Sequence, residues 1–134
     1  MPSTPFHTNV SLSGFHFEDS MFTMNLASGI TAADIGKAVS VDASGPNKAK
    51  LAGDGDFIIG RLEVVENRVQ EGQLVGTVAR RFSNPLPIKS GSGVAVGQSV
   101  VGAGAGEVKP AGTTDHARNI VFEVRGAFAI VQKI

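Results

Sequence analysis

Ile120-Val121-Phe122-Glu123-Val124-Arg125-Gly126-Ala127-Phe128-Ala129-Ile130-Val131-Gln132-Lys133 is the run on which the fold reading turns. Ile120, Phe122, Val124, Phe128 and Ile130 occupy even positions, while Glu123, Arg125 and Lys133 occupy odd ones. Successive side chains of a strand point to opposite faces, so period-two alternation marks a half-buried strand. The even positions therefore predict a core face, with Gly126 keeping the phase in an inward slot. A single straight strand over 120–133 would reach roughly 45 Å, more than a small domain spans. The reading is one long strand bent at Gly126, as at a barrel corner.

The same period recurs upstream. Val39 and Val41 alternate with Ser40 and Asp42, a Gly45-Pro46-Asn47 turn follows, and Lys48, Lys50 and Leu51 suggest a returning strand. Ile58, Leu62 and Val64 are expected on one face with Arg61 and Glu63 on the other, and Leu74 and Val78 repeat the pattern opposite Gln73, Thr77 and Arg81. Helical periodicity is confined to Thr31–Lys37, one turn with Thr31 as N-cap and Gly36 as its stop. Seventeen of 134 residues are glycine, well above the usual fraction of about 7%, so turns are dense. Gly102-Ala103-Gly104-Ala105-Gly106 reads as a hairpin: no helix pattern follows it to complete a phosphate loop. Short strands between glycine-rich turns predict an all-β fold, a small antiparallel β-barrel or jelly-roll-like sandwich.

Residues 1–29 differ from the rest, which reads as a single β-domain over 30–134. Phe6, Phe15, Phe17 and Phe22 are four of the eight Phe, with Met21 and Met24 beside them. Val10 and Leu12 share one phase and Phe15 and Phe17 the other, with Gly14 at the switch, the pattern of a bulge. Two readings stand side by side: first strands that feed the core, or an extended N-terminal arm whose apolar side chains bury against a neighbouring subunit or another protein. The candidate interface residues are Phe6, Val10, Leu12, Phe15, Phe17, Met21, Phe22 and Met24.

Composition narrows the chemistry. Twelve Lys and Arg balance twelve Asp and Glu, leaving zero formal charge, which disfavours a nucleic-acid binder. No cysteine is present, so disulfides and thiolate chemistry are excluded. Tyr and Trp are absent, which weakens the case for a sugar or nucleotide platform. His7, His16 and His116 lack metal-ligand spacing, and Asp115-His116 lacks the nucleophile elbow of a hydrolase. Asp54 and Asp56, like Glu18 and Asp19, read as solvated turn acids, and Arg80-Arg81 as a strand end with one member facing out. No catalytic residue, cofactor or metal is expected. No run of about 18 apolar residues suggests a membrane span. Met1–Pro5 lacks the pattern of a secretory signal, so the chain is expected in a cytoplasm or in a particle assembled there.

Gly36-Lys37-Ala38-Val39-Ser40-Val41-Asp42, Lys50-Leu51-Ala52, Asp56-Phe57-Ile58-Ile59-Gly60-Arg61-Leu62 and Gly72-Gln73-Leu74-Val75-Gly76-Thr77-Val78 resemble the tailed-phage capsid decoration (cement) proteins. The resemblance covers about residues 36–102 and consists of strands and glycines, with no motif that assigns a role to any one residue. It implies a structural protein on the outer surface of the phage head, with the major capsid protein and copies of itself, as dimer or trimer, for partners. Other readings are a head fibre base or tail component, and a small ligand-binding β-barrel. Trimeric dUTP pyrophosphatases share length and β content, but their catalytic Asp motif and glycine-rich C-terminal arm have no counterpart here.

Overall fold

A computed structural model describes residues 21–68, 73–112 and 119–133. The fold is all-β, built on a closed five-stranded barrel. Its strands are β1 (Met21–Leu26), β2 (Ala38–Val41), β3 (Lys48–Leu51), β4 (Gly60–Arg68) and β5 (Gln73–Ala79), in the order β1-β3-β2-β4-β5. Two further layers follow: a three-stranded sheet of β6 (Phe82–Pro87), β9 (Asn119–Arg125) and β10 (Phe128–Lys133), and a hairpin of β7 (Val100–Gly104) and β8 (Glu107–Pro110). In the barrel β1 pairs with β3 in parallel; the other pairings there are antiparallel.

Local chemistry places the turns. Thr31 accepts a hydrogen bond from the Ala33 N–H at 3.3 Å, and the Asp34 carboxylate accepts one from the Thr31 N–H at 3.0 Å. This reciprocal capping box opens a single 3-10 turn, Ala32–Asp34, and Gly36 beyond it takes φ +96°. Asn47 closes the Gly45-Pro46-Asn47 turn at φ +48°, a conformation Asn tolerates better than most residues. The Gly102–Gly106 run is a hairpin as expected, with Gly104 and Gly106 at φ +101° and +79°.

Two clusters of buried side chains share one wall. Inside the barrel lie Met24, Leu26, Val39, Leu62 and Val78. On the outside of the same wall, Ala38, Ala52 and Ala79 pack with Phe82, Leu86, Val100, Val108, Val121, Ala129 and Val131. Adjacent residues of β2 and β5 (Ala38 and Val39, Val78 and Ala79) thus enter different clusters. Alanines on the outer wall let the second layer approach closely, because a larger side chain would hold the layers apart. Gly76 serves the same end within the barrel: a Cβ there would lie 2.8 Å from Leu26 Cδ1 and closer still to the Val64 carbonyl oxygen.

The structure corrects the sequence reading at two places. Residues 120–133 form two antiparallel strands joined at Gly126, which takes φ +57°. Folding back solves the length problem that a bend was expected to solve. The facing is also inverted. Asn119, Val121, Ala129, Val131 and Lys133 are the buried residues, while Phe122 and Phe128 are exposed; Val124, opposite Ala129, keeps the inner side and is exposed at the hairpin end. In β4, a register shift between Leu62 and Val64 turns Val64 outward, 43% exposed, and brings Val65 against the barrel cluster instead.

Candidate functional site: an apolar docking face

The three-stranded sheet buries its inner face on the barrel wall and turns its other face outward. Cross-strand pairs assemble that outer face: Phe128 opposite Pro87, Ile130 opposite Pro85, and Gln132 opposite both Ser83 and Ile120. Opposite residues of paired strands project to the same side, so these rows form one surface. A register shift between Ile130 and Val131 sets Glu123 against Ile130 and Val121 against Val131, leaving Phe122 without an opposite residue. The bulge pushes Phe122 out to 60% exposure, and Phe128 is 48% exposed. Glu123 and Arg125 form an exposed ion pair beside them at 2.5 Å, giving the apolar patch a charged rim.

Val124, 38% exposed, lies at the hairpin end opposite Ala129. There it lines a shallow groove of about 400 Å³ with Ile88, Val94, Gly126, Ala127 and the Ser90–Gly93 loop. Lys89 and Ser92 lie on its margin, and the Ser92 hydroxyl has no hydrogen-bond partner. An open, mostly apolar groove next to an apolar sheet face suits the side chains of a protein partner, because desolvation favours apolar contact there.

The free edge of β6 is closed to strand addition. Pro85 and Pro87 carry no N–H, and the Pro85 carbonyl already accepts a hydrogen bond from Arg61 Nε at 2.9 Å. Arg61 is held there by Glu63 at 2.6 Å. That edge therefore offers little to an added strand, and the exposed apolar surface of this sheet is its face.

Of the candidate interface residues named from sequence, Met21, Phe22 and Met24 lie in β1. Met24 is buried inside the barrel, which removes it from any surface. Phe22 belongs to the inward row with Val78 but sits at the barrel end, 47% exposed, with the Arg80 guanidinium 5.3 Å from its ring centre. Met21 is 42% exposed. β1, within the stretch 1–29 expected as an arm or first strands, is part of the closed barrel. Phe6, Val10, Leu12, Phe15 and Phe17 lie outside the described residues, as do all three histidines, Asp115, Glu18 and Asp19.

The acidic turn residues have structural work. The Asp56 carboxylate accepts hydrogen bonds from the Gly53 N–H at 2.8 Å and from the hydroxyl of buried Ser40 at 3.2 Å, with Lys50 Nζ 3.5 Å away. The Gly53 amide chiefly holds its carboxyl below the usual range; partial burial opposes this, and Lys50 and Ser40 reinforce it. Asp54 pairs with Lys109 on β8 at 2.5 Å. Among the described residues, no group of three His, Cys, Asp or Glu side chains is placed to hold a metal ion, and no helix is long and apolar enough to cross a membrane.

The exposed face went unread in the sequence for an identifiable reason. Alternation reports that Phe122, Phe128 and Ile130 share a period, but not which side of the sheet is buried. The available signal was the other phase: Val121, Ala129 and Val131 are small and apolar, which suits packing against an alanine-rich wall. The chain matches no protein-family model, and no curated protein matches it in sequence.

Proposed function

We propose that the chain is a structural protein of a phage particle, decorating the outside of the mature head and stabilising it by bridging neighbouring major capsid protein subunits. The observation that carries this reading is the outward apolar face of β9 and β10, with Phe122 60% and Phe128 48% exposed. Among the described residues two packed clusters form without those rings, and exposed contiguous apolar surface on a folded domain marks a contact site. The closed barrel behind it supplies a rigid body. The resemblance of residues 36–102 to decoration proteins supports the assignment to the head, and neighbouring copies are expected to meet on the shell.

The energetics fit a lattice partner. The face is small, so one contact is modest. Many copies on one shell add avidity, and a protein that binds only the expanded shell stabilises it by mass action. Full burial of one Phe is worth about 1.5–3 kcal/mol, and these rings are already about half buried, so removing one should weaken each contact by roughly threefold to tenfold. The test is sedimentation of purified protein with matched expanded heads that lack it. Saturable binding at hundreds of copies, with a gain in heat resistance of the heads, is the expected result. No binding, or binding at a dozen copies or fewer, would refute the decoration role; the low-copy result would place the protein in a fibre base or tail.

A further inference from the structure

The outer face of β6, β9 and β10 poses a problem for the free molecule. An uncovered row of Phe128, Ile130 and Phe122 would invite self-association before any shell is met. We propose that in the free protein this face is covered by the chain's own N-terminal segment, Phe6–Phe17, which docks on it in cis and yields to the partner on the shell. The proposal deepens the reading of this face as the adhesive surface and rests on it for its consequence, but the covering itself is a property of the free molecule.

Three observations select this occupant. The first is position. β1 begins at Met21, whose cross-strand partner Ala79 stands three residues before Phe82, the first residue of β6. Twenty residues precede Met21, and an extended chain covers about 3.3 Å per residue, whereas a sheet layer is only about 10 Å deep. Reaching the outer face uses a few residues and leaves the Phe-bearing stretch to lie across it.

The second is charge. The residues that would make the passage, Glu18 and Asp19, are acidic, and the crossing from β5 to β6 is Arg80-Arg81, both exposed. Opposite charges at that crossing favour this path. The third is size. Strands of six or seven residues are about 20 Å long, and three of them span about 14 Å. That is roughly 300 Å² in plan, against about 800 Å² per partner in a standard protein–protein interface. The face suits one extended segment better than a second copy of the domain, and Phe6, Phe15 and Phe17 give that segment apolar side chains to match it.

Because the chain has no cysteine, a single engineered thiol reports cover directly. Gln132→Cys places it on the outer face and Val41→Cys, at a position 59% exposed on the barrel, is the control. Alkylation is followed on the full-length free protein. The expected result is that the thiol at position 132 becomes at least about tenfold more reactive when Phe15→Ser and Phe17→Ser are added, with the control unchanged. A second variant, Phe17→Cys with Gln132→Cys, should form an intramolecular disulfide and then lose binding to expanded heads. Equal reactivity at position 132 with and without the Phe substitutions overturns the proposal. So does protection that disappears on dilution, or a disulfide that links two chains; both would make a second copy the occupant. The thiol measurements need no phage heads, so failure of the covering and failure of the decoration role are read separately.

Discussion

The barrel and the three-stranded sheet are both β-structure, yet they treat their apolar residues in opposite ways. The barrel turns Met24, Leu26, Val39, Leu62 and Val78 inward and closes on itself. The β9–β10 hairpin of the sheet buries small residues, Val121, Ala129 and Val131, and leaves its rings, Phe122 and Phe128, in the open. A closed barrel has no edge to satisfy and two usable cores on either side of its wall. The sheet packs on the barrel wall through one face only, and the described residues leave the other uncovered. The contrast separates what holds the molecule together from what it offers to others.

Truncation of the two cores tests that division most strongly. Leu62→Ala in the barrel and Leu86→Ala under the sheet, both fully buried, should each cost about 2–5 kcal/mol. Because Ala38 and Val39, and Val78 and Ala79, tie the clusters across one wall, chemical denaturation should remain a single transition in both variants. Separate transitions in either would show that the sheet folds apart from the barrel. Gly76→Ala comes next. Its Cβ meets Leu26 and the Val64 carbonyl, and overpacking of this kind costs about 1–3 kcal/mol; an unchanged melting temperature would contradict the close approach of β4, β5 and β1.

Asp56→Asn should cost about 1–2 kcal/mol, since the Gly53 N–H and the buried Ser40 hydroxyl lose a charged acceptor. Acid should act on the same group. The folded-state carboxyls of Asp34 and Asp56 lie below their ordinary value of 3.8. Their stabilisation is therefore complete above that value and is lost as pH falls through it and on through the depressed folded values. The melting temperature should fall over that acid range, and less steeply in Asp56→Asn. A wild type whose stability is flat across the range would contradict the assigned contacts.

The sequence carried the turns better than the facing. Thr31 and Asp34 announce their capping box, Gly45-Pro46-Asn47 its reversal, and Gly102–Gly106 its hairpin, because each depends on local backbone chemistry. Period-two runs were equally visible. Their sense was not, since facing depends on which tertiary surface a strand meets. Phe122 and Phe128 read as core because large apolar residues usually are, while the wall that accepts Val121 and Ala129 is assembled from Ala38, Ala52 and Ala79, distant in sequence. The bulges at Phe122 and near Val64 shift phase by one residue, and neither carries a glycine to mark it.

The smallest expected effect on stability bears on the central claim. Phe122→Ser should change unfolding free energy by less than about 0.5 kcal/mol, since an exposed bulge residue supports no core. The decisive measurement compares wild type with Phe122→Ser/Phe128→Ser in binding to matched expanded heads, alongside their melting temperatures. An adhesive outer face predicts binding lost or weakened by at least about tenfold with the fold intact. Wild-type binding by a double variant that melts like the wild type would contradict it.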